Sequence, residues 1–263
     1  FKRGPLTGNW LHQQLDWLSA EGFQLASQPA LMSRLQARCE RDYPTTAPAI
    51  AAWLAALVQH PIPGLATDTS ASTNSSMSAH SGVALADLQT VRSEMEFWLP
   101  AQSLPVKQLD QLCQKYLLPG VPRPRLQSST LHGMLMGFID LVFEHQGRYW
   151  VLDYKSNALG QDDAAYSTER LHAAMAEHRY DVQAAVYALA LHRLLRSRLG
   201  DRYRPEQHLG GAVYLFLRGI HGPASGTCKL TFPSEMLAAL DAMLDNPVDN
   251  SADNSAANTE GFE

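Results

Sequence analysis

The stretch Gly137–Lys155, GFIDLVFEHQGRYWVLDYK, constrains the fold more than any other part of the chain. Two runs rich in β-branched, aromatic and aliphatic residues flank the pair Gln146-Gly147, the pattern of a β-hairpin with a two-residue loop. With that loop His145 faces Arg148, Val142 faces Val151, and Asp140 falls opposite Asp153. Directly opposed residues hold their Cβ atoms about 4.5–5.5 Å apart, and like charges there destabilise a sheet unless something neutralises them. A divalent cation does so. Lys155 lies two residues beyond Asp153, so strand periodicity puts both on one face. Two carboxylates offer hard oxygen ligands that suit Mg²⁺, with Mn²⁺ as the alternative ion. The competing reading makes each aspartate a solvated residue near a turn, paired with some arginine. The apolar neighbours in GFIDLVF and YWVLDYK count against it, because an uncompensated charge among buried side chains is costly.

Around the hairpin, apolar periodicity predicts helices at Trp10–Leu25, with Thr7 as N-cap, at Ala30–Cys39 and at Pro48–His60. Pro61–Ala84 is rich in Ser, Thr, Ala and Gly with little to bury, and reads as a flexible insertion. Ser93–Pro100, SEMEFWLP, reads as a short strand, followed by a helix over Leu104–Tyr116. The Ala- and Leu-rich stretch Thr168–Leu199 reads as a long helix, Gly211–Gly219 as a further strand and Glu235–Leu244 as a last short helix. The expected organisation is a helical portion over 1–60, the insertion over 61–84, an α/β core with a mixed β-sheet flanked by helices over 85–245, and a disordered polar tail over 246–263.

A net charge of −5 gives no global basic field, so any contact with nucleic acid must be local. Arg179, Arg193, Arg196 and Arg198, on or beside the long helix, could meet phosphates or could simply be solvated charges. Cys39, Cys113 and Cys228 are far apart and odd in number, which suggests neither a disulfide framework nor a zinc site and points to a reducing cytoplasm. No apolar run approaches the ~20 residues that span a bilayer, and no signal-peptide layout is present, so no membrane association is expected. A start at Phe1, directly into helix-like text, looks like a piece of something longer. No Walker A sequence occurs, so ATP-driven unwinding is not expected to reside in this chain.

Asp140 followed by Asp153-Tyr154-Lys155 resembles the D…(D/E)xK signature of the PD-(D/E)xK nuclease superfamily. Together with SEMEFWLP, HRYDVQAAVYALALHRLLR and GGAVYLFLRG, most of Gly4–Leu244 resembles the RecB-type nuclease domain of exodeoxyribonuclease V. The resemblance implies a restriction-endonuclease-like core and Mg²⁺-dependent hydrolysis of DNA during double-strand-break repair and recombination. By the same resemblance Asp140, Asp153 and the Tyr154 carbonyl are metal ligands, His12 of a G…LH motif beginning at Gly8 completes the set, and Lys155 orients the attacking water or stabilises developing charge.

Gln183 and Tyr187 match the family's Q-x-x-x-Y motif on one helix face, with Tyr180 a turn earlier, and are implied to contact DNA or the metal-bound phosphate; as residues alone they are an ordinary polar seam. Glu94 matches the family's glutamate before the core, and Glu96 on the same strand face is its rival. Iron–sulfur relatives carry four cysteines, so no such cluster is expected here. The implied partners are single- and double-stranded DNA ends, other subunits of a helicase–nuclease complex that carry the motor, and a recombinase. A catalytically inactive docking or DNA-end-binding module is the alternative, and a metal-dependent hydrolase of a non-nucleic substrate a third reading.

Overall fold

The turn at Gln146-Gly147 sets the register of the whole sheet. Both residues have positive φ, 52° and 77°, which is the backbone twist a two-residue hairpin loop requires, and Glu144 Oε1 accepts the Gly147 N–H to close it. In this computed structural model, which describes residues 5–65 and 82–245, the strands leaving that turn pair as expected, from His145 with Arg148 to Leu141 with Leu152.

The elements run in the order α1 (Pro5–Ala20), α2 (Pro29–Asp42), α3 (Ala47–Gln59), β1 (Ile62–Pro63), β2 (Gly82–Val83), β3 (Thr90–Pro105), α4 (Val106–Tyr116), β4 (Thr130–His145), β5 (Arg148–Lys155), α5 (Thr168–Glu177), α6 (Tyr180–Leu199), α7 (Pro205–His208), β6 (Leu209–Phe216), β7 (Thr227–Leu230) and α8 (Ser234–Asp245). A five-stranded sheet has the order β3-β4-β5-β6-β7, antiparallel except where β6 runs parallel to β5 after the α5–α6 crossover. That is the expected mixed sheet. On one face α1–α3 pack over Leu141, Phe143, Trp150, Leu152, Tyr154, Val213 and Leu215. On the other, α4, α5, α6 and α8 cover Phe97, Leu99, Ile139, Val151, Ala212, Tyr214 and Phe216.

Several boundaries differ from the sequence expectation, each for a local reason. Helix α1 begins at Pro5, a residue suited to a first turn, so Thr7 lies inside the helix and buried rather than capping it. Strand β3 runs through Pro100 to Pro105 because it is an edge strand, where a missing N–H costs no ladder bond. The predicted long helix is two, broken at Arg179, which takes a left-handed conformation with φ 55°. The strand expected at Gly211–Gly219 is β6, ending at Phe216 in a 3₁₀ turn, and the four-residue β7 had no reading in the sequence. The insertion narrows at both ends, since Ile62 and Leu65 before it and Val83 and Ala84 after it are buried. Residues 66–81 and the tail 246–263 lie outside the described residues.

Strand β6 enters the sheet at Gly211, where φ is 133° and an added Cβ would stand 2.3 Å from the Leu230 carbonyl oxygen of β7. Gly211→Ala is expected to destabilise the fold by about 2–4 kcal/mol, from backbone strain and the clash together. Urea unfolding checks it, and a midpoint unchanged from native overturns it.

Candidate active site

Pairing between β4 and β5 stops at Leu141 and Leu152, one residue short of the two aspartates. Beyond that point β5 continues beside β6, with Asp153 next to Tyr214 and Lys155 next to Phe216, while β4 continues beside β3. The sheet forks at Asp140 and Asp153. In place of a ladder bond, the Tyr154 N–H donates to Asp140 Oδ2 at 2.8 Å, and the Phe138 carbonyl accepts from the Tyr187 hydroxyl at 2.9 Å. Strand β4 is irregular here. Ile139 packs in one layer and Leu141 in the other, although two residues apart on a regular strand they would share a face. Across from Asp140, Glu94 has φ 46° and drops out of the β3–β4 ladder.

The fork opens the site to both helical layers. From α1, His12 Nδ1 stands 3.3 Å from Asp140 Oδ2. Gly8, one turn earlier on that helix, explains the approach, since a Cβ there would lie 2.7 Å from Ser156 Oγ just past β5. Burial works against a charged imidazole, but the hydrogen bond and charge of Asp140, with Asp153, hold the His12 pKa above its ordinary value. Glu94 rather than Glu96 senses this centre. Burial raises its pKa first, and the charges of Asp140 and Asp16 add to that. Glu96 instead pairs with Phe138 farther along β3.

From α6, Gln183 Oε1 accepts from Lys155 Nζ at 3.0 Å and from the Tyr214 hydroxyl at 3.2 Å, and Gln183 Nε2 donates to the Tyr187 hydroxyl at 2.8 Å. The glutamine amide is thereby oriented. Lys155 Nζ also lies 3.9 Å from the centre of the Tyr180 ring, a cation–π arrangement. Burial pushes the Tyr187 hydroxyl pKa well up, with the charges of Asp153 and Asp140 adding to it. Tyr214, on β6 one strand over, was not singled out in the sequence. Its signal is a tyrosine hydroxyl in the otherwise apolar run GAVYLFL, a group that needs a partner when buried.

Asp153 is the more deeply buried acid of the pair. It is 4% exposed, and burial first, then the charge of Asp140, raise its pKa to about 6, against Lys155 and His12. Lys155 Nζ stands 2.6 Å from Oδ2. A buried carboxyl whose pKa stays raised with an ammonium beside it, next to a second carboxylate, fits a hard cation. Among the described residues no three His, Cys, Asp or Glu side chains close a cage by themselves, so an ion here would complete its shell with backbone oxygen and water, as Mg²⁺ commonly does.

Of the four arginines read either as phosphate contacts or as solvated charges, three are held in ion pairs with aspartates. Arg179 binds Asp110 and Asp181, while Arg193 and Arg196 bind Asp241. Cys39, Cys113 and Cys228 are each buried and unbonded to one another. Among the described residues no helix is long and apolar enough to cross a membrane.

A sheet that opens over its own acidic pair, with a lysine on the same strand, marks a nuclease-type hydrolase. The chain belongs to the PD-(D/E)XK nuclease superfamily, which it matches over residues 2–259. Nucleases of this superfamily depend on a divalent metal, and the donor set at the fork fits one. The chain is 36% identical over 251 residues to the RecBCD enzyme subunit RecB of Escherichia coli (strain K12), a match covering 92% of this chain and 19% of that protein. It is 39% identical over 168 residues to the subunit of the same name from Haemophilus influenzae, covering 62% of this chain and 14% of that one. The Mycobacterium tuberculosis (strain CDC 1551 / Oshkosh) subunit is 48% identical over 101 residues, 38% of this chain and 9% of the relative. The chain thus spans about a fifth or less of the length of these relatives.

Proposed function

We propose that this chain is the nuclease module of a RecBCD-type helicase–nuclease and hydrolyses DNA phosphodiester bonds with Mg²⁺, Mn²⁺ being able to substitute. The observation that carries this reading is the carboxylate pair at the fork, Asp153 buried with Lys155 at 2.6 Å and its pKa raised by the nearby charge of Asp140. Asp140 and Asp153, with His12 and the Tyr154 carbonyl beside them, would hold the ion, water completing its shell. Bound there, it supplies Lewis acidity and a more acidic water. Lys155, steadied by Gln183 and by the face of Tyr180, acts as a fixed positive charge for the phosphate as negative charge develops on it. Gln183 and Tyr187 act through Lys155 and through the Phe138 carbonyl, tying α6 to both arms of the fork. The partners in this setting are DNA ends, the other subunits of the complex and a recombinase, in the cytoplasm. The test is cleavage of linear single-stranded DNA, with Mg²⁺ and with the ion chelated, by the chain alone and within its complex. No cleavage in either form would favour the inactive docking module.

Protons compete with the ion for Asp153. With its pKa raised to about 6, apparent affinity for Mg²⁺ or Mn²⁺ is expected to hold above that value and to fall about tenfold per pH unit below it. Titrating the rise in melting temperature against ion concentration at pH 8, 6 and 5 measures this. Equal affinity at all three would exclude Asp153 as a ligand.

A further inference from the structure

Beyond the fork, β3 and β4 continue as a two-stranded ribbon whose two faces differ. Phe97, Leu99 and Ala101 turn inward to the core beneath α6 and α8, whereas the opposite face carries Trp98, Met134, Met136 and Phe138, which are 53%, 52%, 54% and 48% exposed. Trp98 stands directly across from Met136, Pro100 from Met134 and Glu96 from Phe138, so these side chains form one continuous strip. Isolated exposed apolar residues are ordinary, but a contiguous strip of aromatic and methionine side chains marks a contact surface.

The position of the strip indicates what it contacts. Phe138, Met136 and Met134 alternate along β4 and the run reaches the second residue before Asp140, so the strip ends beside the fork. Same-face positions on an antiparallel strand repeat at about 6.8 Å. Stacked nucleotides in one strand are about 3.4 Å apart, half that repeat. The strip holds no lysine or arginine, with Glu96 and Gln102 as its polar β3 members, so it suits bases rather than phosphates.

We propose that the Trp98–Met136–Phe138 face is a stacking platform for the bases of a single DNA strand whose phosphate lies at Asp140 and Asp153. This rests on the nuclease reading above. The ribbon is braced for the task, because the Tyr187 hydroxyl holds the Phe138 carbonyl and its ring packs edge-on against Phe97. Base–aromatic stacking tolerates any sequence, which matches a site that reads no base identity.

The test is binding of a fluorescently labelled single-stranded oligothymidylate to the chain with Ca²⁺ in place of Mg²⁺, followed by anisotropy and by tryptophan emission. Native chain is expected to bind with quenching, the paired substitution Trp98→Ala, Phe138→Ala to raise Kd at least tenfold, and Trp98→Phe to stay within about threefold of native. Circular dichroism and thermal melting confirm that the exposed-site variants remain folded. Unchanged Kd in the paired variant overturns the platform, and so does unchanged binding coupled to loss of assembly with another subunit, which would make the strip a protein interface. A native chain that binds through Trp98 but cuts nothing with Mg²⁺, alone or within its complex, would overturn the nuclease reading and leave the platform standing.

Discussion

Asp153→Ala is expected to lower cleavage of linear single-stranded DNA by roughly 10³-fold or more, since on the proposed reading it removes a charged ligand from the ion. Lys155→Ala is expected to fall nearly as far, because Lys155 is the lysine that stands 2.6 Å from Asp153, with Gln183 and Tyr180 holding it in place. Stability is expected to move the other way. The Asp153 carboxyl is raised to about 6 from an ordinary 3.8, so the folded metal-free protein binds its proton more tightly than the unfolded chain. Its contribution to stability is therefore fully present below about 3.8 and lost as pH rises through about 6. Without metal, Asp153→Asn is expected to melt at or above native at pH 8 while cutting nothing. A variant that cuts as well as native, or that loses activity only by unfolding, would falsify the assignment.

Asp181→Ala is expected to be the most damaging single change to the fold. Asp181 is fully buried and receives both Arg123 Nη1 at 2.6 Å and Arg179 Nε at 3.1 Å, while Arg179 continues to Asp110 of α4. Arg123 also caps the Leu117 and Leu118 carbonyls. Removing the shared carboxylate leaves Arg123 buried without a charged partner and Arg179 with Asp110 alone, a loss of about 3–5 kcal/mol. At about 2–4 °C per kcal/mol for a chain of this size, the melting temperature should drop by roughly 10 °C. Because Asp181 lies in the first turn of α6, activity should fall with it through the placement of Gln183 and Tyr187. A shift under about 2 °C would mean the arginines find water instead. Asp181→Asn, which keeps an acceptor, should lose less.

The hairpin was legible because its information is local: a two-residue turn, apolar flanks and strand periodicity place Asp140 against Asp153 and Lys155 beside it. What could not be read locally was the loss of pairing just there, which depends on β3 and β6 drawing the two strands apart. His12 and Gln183 came from resemblance, since a histidine on a helix and a glutamine on an amphipathic face carry no signal of their own. Tyr214 and Glu94 need the neighbouring strands before their role is visible. The break at Arg179 was hidden by the Ala- and Leu-rich runs of the helices it separates, and Arg179 there reaches the buried aspartates Asp110 and Asp181. Strand β7, four residues against β6, was too short for periodicity to show.

The centre draws on residues from nearly the whole length of the chain: an imidazole from the first helix, acids from the middle and an amide from the crossover helix that follows them. A polypeptide emerging N-terminus first has both aspartates out before α6 exists to orient the lysine. Until that late helix docks, the nascent chain carries the acids of the centre without the amide that orients its lysine.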